Sequence, residues 1–221
     1  MLLAEQGLVG LRLRGQHVRA AVTVFADEAR RRSDAGLGAV DSRALLTVLY
    51  DLPAGVSVPL ATLDPYALRA LHTAPAGVVE IDVRHGTAVR RLVPAVRVEL
   101  VLVHGPDGVP ARAWDSAVRD ASQFAPFCAR GVVVADAEGH ENAPDVERLL
   151  LKARYYGVGV ATQGPHRLHW LLEPAPYRPR RHSPAQWLFH EHAWRQLVPE
   201  WSWPLGSAGT GNGSGLGRRQ A

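Results

Sequence analysis

The alternation of apolar and polar positions divides this chain into short segments of two kinds. Residues 8–14 (LVGLRLR) alternate apolar and basic side chains, the period of a half-buried strand. From Gln16 to Ser33 the apolar positions Val18, Ala21, Val22, Phe25 and Ala29 fall at helical spacing. Asp27, Glu28 and the run Arg30-Arg31-Arg32 take the other side and the end. This predicts an amphipathic helix whose last arginines suit the negative end of its dipole. Gly36 and Gly38 stop it. Asp41-Ser42 caps a helix over 43–50 (RALLTVLY), which Pro53 and Gly55 end. Asp64 followed by Pro65 opens a third helix, YALRALH, closed by Pro75-Ala76-Gly77. GVVEIDV, a turn at Arg84-His85-Gly86, and TAVRRLV read as a β-hairpin.

Near Pro94 the pattern changes. VRVELVLV (96–103) is a β-branched strand, and Pro106-Asp107-Gly108 is a turn. Trp114, Ala117, Val118 and Ala121 share one face of a helix over 114–124. Val132–Ala135 is a short apolar strand. Pro144 opens a helix with Val146, Leu149, Leu150 and Ala153 inward, and Gly157–Ala161 and RLHWLLEP (167–174) are further strands. Strand, helix and strand joined by short loops call for a parallel pair with a right-handed crossover. A Pro- and Arg-rich connector (174–184) leads to an aromatic-rich helix over 184–197. The tail after Trp203 buries too little to fold and is expected to be disordered. The expected class is α/β, or α+β over the whole chain, in three parts. Residues 1–92 are helical and, from their helix, turn, helix and hairpin order, winged-helix-like. Residues 93–203 form an α/β part, and 204–221 a Gly-rich tail.

Composition narrows the classes. At 221 residues with 47% apolar and 21% charged side chains, the chain supports one large domain or two small ones. The run with the fewest charges, 92–104, contains Arg97 and Glu99 and is far shorter than the roughly 20 apolar residues that span a bilayer, so no membrane partner is expected. The start, MLLAEQGLVG, lacks a basic region and a long apolar stretch, so no signal peptide is expected. One cysteine, Cys128, excludes an internal disulfide and a multi-cysteine metal site, and a reducing cytoplasm is the expected location. Every basic residue but Lys152 is Arg; with so much Ala, Gly and Val, this marks a GC-rich genome. The net charge is +4, shared evenly on either side of residue 92, so phosphate binding requires local clustering of arginines.

Residues 94–197 carry a recognisable order of parts. A strand with one acid (Glu99) is followed by a GPDG turn and by Trp114-Asp115-Ser116-Ala117 leading a helix. The strand RGVVVAD comes next, then APDVERLLLKARYYGVGVAT, then HRLHWLLEPAP before a last helix. This order resembles the PD-(D/E)XK, restriction-endonuclease-like superfamily, in its branch of small bacterial nuclease-like proteins, over about half the chain. The resemblance implies a mixed sheet with flanking helices and a phosphodiesterase centre. In such a centre two or more carboxylates hold Mg²⁺, and an adjacent lysine orients the attacking water. Glu99 stands in the place of the first acid. The place of the second acid and the lysine reads Ala111-Arg112-Ala113, and Arg112, with a pKa above about 12, accepts no proton. The motif is therefore degenerate and no cofactor is expected. An active version needs Mg²⁺ on Glu99, with Asp107 or Asp115 as the migrated acid.

Arg69, Arg84, Arg90 and Arg91 lie where a winged helix meets DNA, with Arg112 beside them as a further phosphate contact. Glu80 and Asp82 share a strand face and read as solvated. His190-Glu191-His192 cannot chelate together, because helix neighbours two apart diverge. Cys128, in FAPFC, reads as a buried structural thiol. Trp187 and Trp194, seven apart on the last helix, read as core or, if exposed, as a surface for a protein partner or a homo-oligomer. The expected function is a pseudoenzyme: a non-catalytic protein with a degenerate nuclease-like fold that associates with DNA or a partner. The alternatives are an active Mg²⁺-dependent DNA endonuclease and a scaffold that assembles through its aromatic C-terminal helix.

Overall fold

The computed structural model describes residues 7–105, 114–134, 144–164, 168–178 and 183–198. Arg14 (φ 51°) and Gly15 (φ 81°) turn the chain sharply between β1 (Leu8–Leu13) and β2 (Gln16–Val24). Positive φ at both positions makes a type I′ hairpin, whose twist matches that of its strands. β2 occupies residues expected to begin a helix, and the helix α1 spans only Ala26–Asp34. The helical spacing of the apolar residues is real but is overridden. Val18 and Ala20 alternate inward, with Val22 and Val24 packed partly against the same core, and β1 and a later strand supply backbone partners on both edges.

The remaining elements follow in order. They are α2 (Arg43–Asp51), β3 (Ser57–Pro59), a 3-10 turn (Leu60–Thr62), α3 (Pro65–His72), β4 (Val79–Asp82), β5 (Thr87–Arg90) and β6 (Val96–His104). Then come α4 (Trp114–Ser122), β7 (Ala129–Val134), α5 (Pro144–Tyr156), β8 (Gly159–Gln163), β9 (Leu168–Leu172) and α6 (Pro184–Leu197). The caps expected at Ser42 and Asp64 form, and Ser183 adds one not expected from the sequence. Ser42 accepts from the Leu45 N–H, Asp64 from Ala67 with Pro65 behind it, and Ser183 from Gln186 with Pro184 behind it.

The class is α/β. A mixed sheet runs β1-β2-β6-β7-β8-β9, with β6/β7 and β7/β8 parallel and the other pairs antiparallel. A second sheet, β3-β5-β4, is antiparallel and packs with α2 and α3 as a small unit between α1 and β6. The hairpin β4–β5 pairs with β3 and not with β6. The large sheet nevertheless crosses the expected boundary at residue 92, because β2 precedes the small unit and pairs with β6 after it.

Helices cover one face of the large sheet. Val101, Val132 and Val160 meet Val118 of α4, Leu149 of α5 and Phe189 and Trp194 of α6 in one apolar cluster. Leu46, Leu49, Leu71, Val78 and Leu92 form the core of the small unit, and Trp187 of α6 completes it. α6 thus belongs to both cores. On the opposite sheet face Leu100, Leu102, Val133, Ala161 and Leu168 cluster with Trp170, whose ring lies across Gly131 and Gly159. A Cβ on Gly159 would stand 2.6 Å from that ring, so only glycine admits it. Among the described residues no helix is long and apolar enough to cross a membrane.

Candidate functional site

Glu99 sits at a break in the β2–β6 ladder. Val22 pairs with Val98 and Ala21 with Leu100, which leaves Glu99 as the extra residue of a β-bulge. The bulge lets Leu100 share the face of Leu102 while Val98 and Val101 both point to the helices. Glu99 projects with Arg97 and Thr23 on the helix-free face. Its Oε1 accepts from Arg97 Nε at 2.6 Å and from Thr23 Oγ1 at 3.1 Å. At 43% exposure the carboxylate is wet, and its charge is met by a guanidinium rather than shared with a second acid.

The sheet order changes the expected geometry of the centre. The antiparallel neighbour of β6 is β2, which lies earlier in the chain, and the side chain bonded to Glu99 across that pair is Thr23. Asp115 is on α4, whose Trp114, Ala117 and Val118 pack against the opposite face of the sheet, and it pairs with Lys152 of α5 at 3.0 Å. Glu99 and Asp115 are therefore on opposite sides of the sheet and cannot share a metal ion. This corrects the pairing of Glu99 with Asp115. Asp107, Arg112 and the Ala111-Arg112-Ala113 segment lie outside the described residues. Among the described residues no three His, Cys, Asp or Glu side chains converge as a metal site.

The arginines of the small unit divide into two pairs. Arg90 turns inward, where its Nη1 donates to the Leu49 carbonyl at 2.7 Å and its guanidinium stacks 5.2 Å from the Trp187 ring centre. Arg91 donates to Glu80 at 2.6 Å, and this hydrogen bond holds the Glu80 carboxyl below its ordinary range. At the hairpin tip His85 and Asp82 pair at 2.6 Å. Arg69 on α3 and Arg84 in the β4–β5 turn are exposed and have no ion pair among the described residues. Of the expected DNA contacts in this unit, the geometry leaves Arg69 and Arg84 available and commits Arg90 and Arg91 elsewhere.

α6 decides between the two readings of its tryptophans in favour of the core. Trp187 is 6% exposed and Trp194 4%, so neither lies on a surface that a partner can cover. The two rings enter different cores, because the helix is wedged between the large sheet and the small unit. Next to Trp187 lies a feature that the pattern of the sequence does not announce. Arg32 is fully buried and reaches Glu191 Oε1 and Oε2 at 2.7 Å each, Glu28 Oε1 at 2.8 Å and the Val93 carbonyl at 2.6 Å. Glu191 also accepts from the Val40 N–H and the Trp187 indole. The network joins α1, α6 and both ends of the small unit. Burial pushes the Glu28 carboxyl up, but hydrogen bonds from Arg31 and Arg32 outweigh it and hold the carboxyl below its ordinary range. Arg32 is likewise destabilised by burial but held charged by its two carboxylates. The available signals were the i, i+4 spacing of Glu28 and Arg32 and an acid flanked by two histidines on an aromatic helix.

His190, one residue away, is buried and lies beside β6, its Nδ1 3.4 Å from the Val98 N–H. Cys128 is buried in the main core with its thiol pushed up to about 12 by desolvation, which disfavours the reactive thiolate. Comparison with family models, curated proteins and solved structures gives no match to this chain.

Proposed function

We propose that this protein works by binding rather than by catalysis, as a non-catalytic relative of the nuclease-like α/β proteins that associates with DNA. The observation that carries the reading is the state of Glu99. A carboxylate that serves Mg²⁺ needs a second acid beside it, and here the neighbours are Arg97 and Thr23. The central strand keeps the acid and the β-bulge that aims it, but its surroundings suit an ion pair on a sheet face. Two features support the DNA part of the reading. The small unit sets a helix and a β-hairpin side by side, and Arg69 and Arg84 on those two elements have no carboxylate partner among the described residues. Arginines so placed neutralise phosphates and fix register, while base contacts supply any specificity.

Fluorescence anisotropy with a labelled duplex, measured over a range of salt concentrations, tests this proposal. Binding should weaken as salt rises, with a slope of log affinity against log salt of about −0.9 for each phosphate engaged. Arg69→Ala with Arg84→Ala should reduce that slope by about 2 and leave the fold intact, since both side chains are exposed. No anisotropy change at low salt, or a slope unmoved by the double substitution, contradicts the proposal.

A further inference from the structure

Between the small unit and α6 lies an open cavity of about 620 Å³. Tyr50, Leu52 and Pro53 from the end of α2 form one wall, and Pro94 and the Trp187 ring form the other. Its size and mostly apolar walls fall in the range of small-molecule sites, and its place between two packed units is where such sites concentrate.

The cation of this cavity, Arg90, has no carboxylate paired with it among the described residues. One of its donors, Nη1, is spent on a neutral carbonyl, that of Leu49. Its Nε is sealed from solvent and has no acceptor. No ion pair to Arg90 exists among the described residues, although this guanidinium is partly stripped of water and stacked on Trp187. Arg32, by contrast, is compensated by two carboxylates. The positive end of the 14-residue helix α6 adds to the positive potential beside Arg90, since Ser183 and Gln186 at its start line the same cavity and its first turn holds no acid. The one carboxylate on the lining is Asp51, which is exposed at the end of α2.

We infer that this cavity binds a small aromatic carboxylate, its ring against Trp187, Tyr50 and Pro94 and its charge toward Arg90. The flat apolar walls select an aromatic body. The cation, short of solvent and of a counter-ion, selects an anion, because pairing removes the cost of a partly desolvated charge. Asp51 opposes the same anion from the rim. The inference does not depend on DNA binding, because the proposed phosphate contacts are Arg69 and Arg84, and Arg90 is turned inward.

Isothermal titration calorimetry on the full chain tests it, with 2-naphthoate as the probe and 2-naphthamide as its neutral counterpart. The carboxylate should bind at least tenfold more tightly than the amide. Arg90→Met, which keeps the stem against Trp187, should remove that preference, with circular dichroism to check that the variant folds. Asp51→Asn changes only an exposed side chain, so it keeps the test decisive if the Arg90 variant misfolds, and it should tighten naphthoate severalfold while leaving the amide unchanged. No binding of either probe, equal affinity for both, or an Asp51→Asn protein with unaltered naphthoate affinity would each overturn the inference.

Discussion

Arg32 and Glu191, 159 positions apart in the chain, meet in a two-point ion pair at 2.7 Å with side chains 0% and 1% exposed. Such a pair gains little over a well-packed apolar pair, but removing one partner strands a buried charge. Glu191→Ala should therefore cost about 3–5 kcal/mol of unfolding free energy in urea, a large share of a typical domain's stability. Arg32→Met combined with Glu191→Leu should cost clearly less than the sum of the two single substitutions. An additive cycle would mean that the two side chains act independently.

The same network makes stability depend on pH in the acid range. The Glu28 carboxyl is held below its ordinary value of 4.5 in the folded protein by Arg31 and Arg32. Its contribution is fully present above about pH 4.5 and is lost as the pH falls through the lower folded value. Thermal melts from pH 7 to pH 3 should show Tm falling across that window, and Glu28→Gln should flatten the fall while lowering Tm at pH 7. A variant with the same slope as the parent protein would place the acid sensitivity elsewhere.

Gly159 lies under Trp170, and a Cβ there would meet the ring at 2.6 Å and Pro174 at 2.8 Å. Gly159→Ala should destabilise by about 1–3 kcal/mol through overpacking. Gly10→Ala, on the edge strand with nothing within 4 Å of the added carbon, should stay within about 0.5 kcal/mol. Chemical denaturation of the two variants side by side separates the packing effect from the general effect of losing a glycine.

Cys128 is the one cysteine, is buried, and has its thiol pushed up to about 12. The thiolate is the reactive form, so the folded protein should not react with a disulfide reagent at pH 8 on the time scale of minutes, and the denatured protein should release one equivalent at once. Rapid labelling of the native state would mean that the core around Phe124 and Phe127 opens readily.

Much of the fold was legible where the chemistry of an element is local. The caps at Ser42 and at Asp64 with Pro65, the start at Pro184 and the β-branched run at 96–103 mark α2, α3, α6 and β6 within a residue or two. β2 was not legible, because QHVRAAVTV has a helical spacing of apolar residues as well as strand-forming valines, and only pairing with β1 and β6 decides between them. The partner β6 lies beyond the whole small unit, and nothing in the local pattern announces a pairing across such an insertion. The order of parts in 94–197 places the strand facing Glu99 after it in the chain, whereas the antiparallel partner β2 precedes it. The burial of Arg32 and Glu191 is not legible in the sequence for a related reason. A charge run at a helix end usually reads as solvated, and burial depends on where α6 docks. Trp187 and Trp194, seven apart, read as one face, whereas the wedge of α6 between two cores uses them on two.

The central claim is that Glu99 holds an ion pair and not a metal ion, and it is tested most directly by incubating supercoiled and labelled linear duplex DNA with the protein in 10 mM Mg²⁺ (a concentration on the order of common nuclease assays, ample for carboxylate–phosphate sites), beside Glu99→Ala and a chelator control. Neither protein should nick or cleave the DNA, and both should show the salt-sensitive binding described above. Mg²⁺-dependent cleavage by the parent protein that disappears in Glu99→Ala would contradict the claim, and would show that acids outside the described residues complete a working centre around Glu99.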